Sequence, residues 1–217
     1  EGGEVKTVTL KQNESKAGRH QDGESYLNKD KSSLVIENTS GITDLDISGG
    51  KVKFTATYKK VNSVNWYETD DDGNEINRWV EDSPASGEDV TNSSTCTWTV
   101  SPVINDSKIN NGELTVGENT SNGSPIFSVN ATYKDSSGNT FTSNTLTVNQ
   151  KPSPVAWSYT VKTNNSGTTV YFLSGDTELQ QEDVALKDEA YYSTYSLPYK
   201  SVEKPNISAY IVKKDMY

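Results

Sequence analysis

Short runs in which apolar residues occupy every second position dominate the middle of this 217-residue chain. The clearest run extends from Phe127 to Tyr133, and Gly50 to Tyr58 shows the same alternation. Successive side chains of a β-strand point to opposite faces of its sheet, so a period of two is typical of strands with one buried face. The runs are separated by turns rich in Gly, Asn, Asp and Ser, such as Asp135–Asn139. The sequence therefore predicts an all-β fold of antiparallel strands.

Five segments follow one another in an order that is typical of a known family of domains. They are the strand Val52–Tyr58, the run Val90–Trp98, the turn and strand Gly112–Val116, the strand Phe127–Tyr133 and the closing strand Leu146–Val148. This order resembles that of group-2 bacterial immunoglobulin-like domains over residues 33–150. Such domains are spacers and adhesive modules of bacterial surface proteins and decorations of phage virions. The resemblance implies an Ig-like β-sandwich at an extracellular, cell-surface or virion location, with a mechanical role.

The connection between Tyr58 and Val90 is longer than the family's usual one and contains its own hairpin signal. Asp72-Gly73 lies between a run with Trp66 and Tyr67 and a run with Trp79. Asp-Gly favours tight hairpin turns because Gly adopts a positive φ at little cost. We therefore expect a hairpin here that protrudes or extends a sheet.

Composition and charge narrow the possible functions. Hydrophobic residues make up 31% of the chain, and 71 residues are Ser, Thr or Asn, which suggests thin sandwiches with much exposed surface. The formal net charge of −10 argues against nucleic-acid binding, which needs a basic surface, and disfavours binding to anionic membranes.

No apolar run is long enough for a transmembrane helix, so we expect no membrane insertion. No signal peptide is evident, and because the chain begins with Glu1 we expect a processed product or an excised fragment.

The N-terminal 32 residues are predicted to form an arm with a single strand, Val5–Leu10, followed by a polar stretch, Lys11–Lys31, without periodicity. A lone strand needs a neighbour for its backbone hydrogen bonds. It pairs either within the chain or with a neighbouring subunit. Val5, Val8 and Leu10 are the candidate assembly residues of this arm.

Lys151–Pro154 is predicted to be a linker, because proline cannot donate to a strand ladder and stiffens the chain. Residues 151–217 then form a small Tyr-rich β module. Its predicted strands are Val155–Val161, Thr169–Leu173 and Asn206–Val212. A short helix is also expected between Thr177 and Tyr192, because Thr177 and Gln180 have capping-box spacing.

Residues for enzymatic chemistry are scarce. His20 is the only histidine, and its polar surroundings predict a solvated loop residue. Cys96 is the only cysteine, and its alternation with Trp98 and Val100 predicts a small buried hydrophobe. The common hydrolase, dinucleotide and P-loop motifs are absent from the sequence. We therefore expect a protein that is not an enzyme and that uses no cofactor.

The acidic turn offers a candidate for a metal site. Asp70, Asp72 and Asn74 supply oxygen atoms, which calcium prefers. However, Glu75 occupies the position that glycine holds in an EF-hand loop, so a solvated hairpin turn is the favoured interpretation and a surface calcium site of another kind is the alternative.

Aromatic side chains are the best candidates for ligand binding, because Tyr and Trp offer flat apolar faces with a polar group. The candidates are Trp66, Tyr67, Trp79, Tyr191, Tyr192, Tyr195 and Tyr199. The tyrosines in this set are equally explained as the core of the C-terminal module. The sequence thus favours a structural or assembly protein with other protein subunits, including its own copies, as partners. The alternative is an adhesin or carbohydrate-binding module that recognises a surface glycan.

Overall fold

The computed structural model describes residues 16–213, and within them the fold is all-β and of sandwich type, as the alternating pattern predicts. The predicted assembly residues Val5, Val8 and Leu10 lie outside the described residues. No helix in the described part of the chain is long and apolar enough to cross a membrane.

Nineteen strands lie within the described residues. They are β1 (Gly18–Leu27), β2 (Ser33–Asn38), β3 (Asp44–Leu45), β4 (Gly50–Lys60), β5 (Asn62–Thr69), β6 (Glu75–Asp82), β7 (Ser86–Asp89), β8 (Cys96–Ser101), β9 (Lys108–Asn110), β10 (Glu113–Val116), β11 (Ile126–Lys134), β12 (Thr140–Thr142), β13 (Leu146–Gln150), β14 (Val155–Thr163), β15 (Thr168–Ser174), β16 (Thr177–Asp183), β17 (Ala185–Lys187), β18 (Ala190–Ser201) and β19 (Ser208–Lys213).

The chain divides into two compact units. Among the described residues, the first comprises residues 16–37, 55–97 and 131–144, and the second comprises residues 38–54, 98–130 and 145–213. The predicted Ig-like segment contributes residues to both units. The predicted division at residues 32/33 and 150/151 stays a prediction.

The first unit has an aromatic core. The Tyr58 ring lies 4.9 Å from Phe141 and 5.1 Å from Tyr133, measured between ring centroids. Leu34 and Ile36 of β2 are also buried. In β4, buried side chains alternate with more exposed ones, which is why its sequence predicts a half-buried strand. The same unit contains a three-stranded antiparallel sheet in the order β1–β5–β6.

The second unit contains a sandwich core and a smaller β module. In the former, β10 pairs with β4, β11 with β13, and β13 runs parallel to β3. Its fully buried residues include Val52, Leu114, Phe127, Val129 and Val148.

The smaller module of the second unit is built from two sheets, β14–β18–β17 and β16–β15–β19. Its core is Val170, Phe172, Tyr195 and Leu197. The three strands predicted there correspond to β14, β15 and β19. The predicted linker Lys151–Pro154 is irregular, but the backbone N–H of Lys151 donates to Leu45 O and that of Ser153 to Ser121 O.

Three local predictions are wrong. The stretch predicted to be polar and irregular contains β1, and His20 lies in this strand rather than in a loop. The expected helix between Thr177 and Tyr192 is replaced by β16, β17 and the start of β18, because β16 pairs along β15. Cys96 is half-buried rather than buried, although Trp98 two residues later is buried.

Candidate functional site

The sheet β1–β5–β6, here called the aromatic sheet, carries three of the predicted ligand-binding aromatics. Its β5–β6 hairpin confirms the one predicted from Asp72-Gly73, with Gly73 at φ +86°. In register, Trp66 lies directly opposite Trp79, and Tyr67 lies opposite Arg78. Because side chains alternate along a strand, the two tryptophans share one face and Tyr67 belongs to the other.

The tryptophan face is closed by an arginine from β1. The guanidinium carbon of Arg19 lies 3.9 Å from the Trp66 ring centroid and 5.3 Å from that of Trp79. Arg19 also forms an ion pair with Glu81. A cation held over an aromatic ring is attracted by the negative potential of its face. This face is therefore a layered stack of strand, indole and guanidinium.

The opposite face repeats this arrangement with different residues. The His20 ring stacks on Tyr67 at 5.1 Å between centroids, and the guanidinium carbon of Arg78 lies 5.7 Å from the same ring. Arg78 forms ion pairs with Asp22 and Glu75. Hydrogen bonding from Arg78 lowers the pKa of Glu75 below its usual value.

The histidine has a defined hydrogen-bonding role in this face. Thr69 Oγ1 donates to the carbonyl oxygen of Lys16 at 2.6 Å, and His20 Nε2 lies 3.0 Å from the same hydroxyl. A hydroxyl has one hydrogen, so the imidazole is the donor in the second bond. His20 thus joins β1 to β5 through Nε2–H and the stack on Tyr67.

The aromatic sheet contains every arginine of the chain. The chain has two arginines, Arg19 and Arg78, and both lie over aromatic rings of this sheet. The sheet also exposes two apolar side chains on its outer strand β6, Ile76 and Val80. Trp, Tyr and Arg are the residue types most enriched at the centres of protein–protein interfaces.

A shallow cavity of about 250 Å³ lies beside Trp66. Its apolar wall is formed by Val64, Trp66 and Pro84, and its polar rim includes Asn62 and Ser25. The indole N–H of Trp66 is buried and has no hydrogen-bond partner among the described residues. An unpaired buried donor carries a free-energy cost of about 1–3 kcal/mol.

In the turn of the β5–β6 hairpin, the Asp70 side chain forms hydrogen bonds within the turn. The carboxylate of Asp70 accepts hydrogen bonds from the backbone N–H groups of Asp72 and Asn74. The hydrogen bonds from Asn74 are the largest cause of the lowered pKa of Asp70. Among residues 16–213, no three His, Cys, Asp or Glu side chains are grouped as metal ligands. Asp70 and Asn74 thus take part in hydrogen bonds within the turn, and the calcium alternative stays a prediction.

The structure separates the four predicted tyrosines of β18. Tyr195 is a core residue whose ring lies 5.7 Å from Phe172, whereas Tyr199 is exposed. Tyr191 and Tyr192 are half-buried. Only Tyr192 lines the cavity of about 310 Å³ on this sheet. The other residues that line it are Thr160, Lys187, Asp188 and Thr194.

The sequence reasoning did not identify Arg19 and Arg78. Their rarity was a usable signal, because both arginines of the chain fall within or beside the stretches that carry tryptophan and tyrosine in the sheet. What the sequence lacked was the register that places Arg19 beside Trp66, since β1 carries no alternating pattern.

Comparison of the chain with models of known protein families, with curated proteins and with solved structures finds no match. The resemblance to group-2 bacterial Ig-like domains therefore stays a prediction. The class that the described residues define is an all-β, sandwich-type protein with an aromatic surface sheet.

Proposed function

We propose that this protein is a non-enzymatic structural subunit of an assembled bacterial or phage surface, and that the aromatic sheet binds a neighbouring copy of the chain. The observation that carries the proposal is that half-buried aromatic residues and both arginines cover the two faces of one three-stranded sheet, with Trp66, Trp79 and Arg19 on one face and Tyr67 and Arg78 on the other. These residue types dominate binding energy at protein interfaces. The extracellular or virion location rests on the family resemblance alone.

Two further features support a docking role for this sheet. Ile76 and Val80 are 61% and 55% exposed on β6, and Val80, which lies opposite Asn65 in register, shares the face that carries Tyr67 and Arg78. Exposed apolar side chains that cluster with aromatics mark interaction surfaces more often than isolated ones. In addition, a carbonyl oxygen or carboxylate of a docked neighbour is a suitable acceptor for the unpaired N–H of Trp66, if the indole shifts slightly on docking.

The non-enzymatic part of the proposal is supported by how the few reactive groups are used. His20 is held between Thr69 and Tyr67. Burial raises the pKa of the Cys96 thiol, which disfavours the reactive thiolate.

The test is sedimentation of the full chain across a wide range of concentration, with Val80→Lys as the interface variant and Val103→Lys as its control. Val103 is 75% exposed outside the aromatic sheet, so both variants add one charge at an exposed valine. We expect the wild type and the control to associate at high concentration and Val80→Lys to lose the association that the aromatic sheet mediates. A wild-type chain that stays monomeric throughout, or equal association of the two variants, would overturn the proposal.

A second candidate function is carbohydrate binding, which the cavity at Tyr192 favours. A tyrosine ring beside two threonine hydroxyls, a carboxylate and an ammonium group combines a stacking surface with donors and acceptors for sugar hydroxyls. The tryptophan face suits a sugar less well, because the Arg19 guanidinium carbon lies 3.9 Å from the Trp66 ring centroid, whereas the cation over Tyr192, Lys162 Nζ, lies farther away at 5.8 Å.

A glycan screen with Tyr192→Ala tests this second function, and Tyr199→Ala is the matched control. If the cavity binds a glycan, Tyr192→Ala abolishes binding while the melting temperature stays nearly constant, and Tyr199→Ala binds normally. The absence of any bound glycan, or equal binding by both variants, would reject the carbohydrate function.

A further inference from the structure

The strand β19 combines strong apolar exposure with a free edge. It pairs with β15 on one side, and no other strand among residues 16–213 pairs with it. All six of its residues are exposed, including Tyr210, Ile211 and Val212 at 48%, 51% and 44%. An edge strand with unpaired backbone groups and apolar side chains is a template for pairing with another strand.

Three other edge strands, β2, β16 and β14, carry protection that β19 lacks. The side-chain amide of Asn144 bonds both the N–H and the C=O of Ile36, which covers β2. The strand β16 bears Glu178, Glu182 and Asp183 and has a register shift against β15. The strand β14 is also irregular, with a shift between its pairs to β18. Charges, bulges and caps of these kinds are the usual means by which proteins block edge pairing.

We propose that β19 pairs antiparallel with β19 of a second copy, related by a two-fold axis. This inference rests on the proposed assembly function but uses a surface distinct from the aromatic sheet. Residues directly opposite each other in an antiparallel pair lie on the same face. A two-fold axis through the strand pair therefore places either Tyr210 opposite Tyr210 of the second copy, or Ile211 opposite Ile211 of the second copy.

The charge pattern of β19 favours a second copy in this orientation. The chain has a net charge of −10, so its copies repel each other, but β19 contains no carboxylate. Its only charged residue is Lys213. In the two antiparallel registers Lys213 faces Ile207 or Ala209 of the second copy, whereas an in-register parallel pair would place two Lys213 side chains together.

The small area buried between two β19 strands limits the affinity of the proposed dimer. A pair of six-residue strands buries much less than the roughly 1,200 Å² of a stable interface. We therefore expect a weak dimer that forms at high protein concentration and that reinforces contacts made elsewhere in an assembly.

The first test is the dimer fraction measured by sedimentation for Val212→Lys, with Val103→Lys as control. A lysine on this edge strand should lower the association constant attributable to β19 by about tenfold or more, as charged edges resist pairing. Both measurements are made in the Val80→Lys background, which removes the proposed aromatic-sheet contact. Association that persists unchanged in Val212→Lys, or a background chain that is monomeric at every concentration, would overturn the β19 proposal and leave the proposed function intact.

Disulfide trapping is the second test, and it is independent of stability changes in Val212→Lys. Cys96→Ser is combined with either Tyr210→Cys or Ile211→Cys, and Leu186→Cys on exposed β17 is the control. Directly opposed Cα atoms lie about 4.5–5.5 Å apart, within disulfide range. We expect one of the two β19 variants to form a covalent dimer under mild oxidation well before the control. Trapping no faster than the control would reject the pairing.

Deletion of residues 1–12 identifies the alternative occupant. If these residues of the same chain cover β19, the deleted protein dimerises more strongly than the full chain, and the proposed pairing of full chains is wrong. Equal dimerisation of the two proteins is the expected result.

Discussion

The guanidinium carbon of Arg19 lies 3.9 Å from the centroid of the Trp66 ring, which joins the outer strand β1 to the middle strand of the aromatic sheet. The same arginine pairs with Glu81 of β6, so one side chain spans all three strands. A three-stranded sheet usually needs a hydrophobic face for stability. Here stacked cations and aromatic rings on both faces supply part of that stabilisation.

Arg19→Ala should therefore destabilise the protein by about 1–2 kcal/mol, because it removes a cation–π contact and an ion pair together. Arg19→Lys should recover only part of this loss, since an ammonium group lacks the planar surface that stacks on indole. Urea unfolding followed by tryptophan fluorescence measures the change.

Lys59→Ala is the control for this change, because Lys59 is an exposed cation on β4 that forms no ion pair with any of residues 16–213. Its effect should stay within about 0.5 kcal/mol. Similar losses in Arg19→Ala and Lys59→Ala would mean that the stack over Trp66 contributes nothing.

Two glycines of the second unit offer a matched test of backbone geometry. Gly49 and Gly41 have similar positive φ values, +80° and +69°. A Cβ atom on Gly49 would lie 2.1 Å from the carbonyl oxygen of Val116, whereas one on Gly41 would meet no atom within 4 Å. Gly41→Ala should cost about 1–2 kcal/mol from backbone strain alone. Gly49→Ala should cost about 3 kcal/mol or more, since a backbone oxygen must also move.

Thermal and chemical unfolding of these two alanine variants provides the measurement. The difference between them isolates the close approach to Val116 because the strain term is shared. Equal destabilisation would show that the loop at Gly49 moves away from Val116 at no cost.

The sequence predicts a strand of this fold only where one face of that strand is buried. The buried side chains Val52, Phe54, Ala56 and Tyr58 alternate along β4, so its sequence predicts the strand directly. In β1 no side chain is fully buried, and the period of two disappears from the hydrophobic pattern. Its pairing with β5 is a non-local property that local sequence does not encode.

Dependence on non-local pairing also explains why the helix prediction is wrong and why the sequence predicts only part of the candidate site. Thr177 and Gln180 have the spacing of a capping box, but β16 gains a ladder of partners along β15 that a local motif cannot reveal. The aromatic residues Trp66 and Trp79 were predictable as surface candidates from the hairpin signal. Their contact with Arg19 was not, because it depends on the register between β1 and β5.

A hydrogen-bond relay in the first unit predicts acid sensitivity. The N–H of Ala56 donates to Thr91 Oγ1 at 2.8 Å, and this hydroxyl donates to Asp89 Oδ1 at 2.6 Å. The bond from the Thr91 hydroxyl is the largest cause of the lowered pKa of Asp89. A carboxylate with a depressed folded-state pKa stabilises the fold above its unfolded pKa and loses that contribution as the pH falls through the folded value.

The free energy of unfolding should therefore decrease as the pH falls below the ordinary aspartate pKa of 3.8. Asp89→Asn should remove part of this dependence, because an amide accepts the hydrogen bond but does not titrate there. Thr91→Val should cost about 1–3 kcal/mol at neutral pH by leaving the Ala56 N–H unpaired. The measurement is urea unfolding of the three proteins as a function of pH, and identical pH slopes for wild type and Asp89→Asn would contradict the relay.

Tyr195 and Tyr199 lie four residues apart on β18 yet differ in environment, with exposed fractions of 9% and 56%. Tyr195 packs on Phe172 in the core of the small β module, so Tyr195→Ala should cost about 3 kcal/mol by leaving a cavity. Tyr199→Ala should change stability by no more than about 0.5 kcal/mol. Thermal unfolding of the two variants compares them directly. A large loss in Tyr199→Ala would mean that this tyrosine is covered in solution, and a negligible loss in Tyr195→Ala would mean that the module does not depend on the Phe172 core.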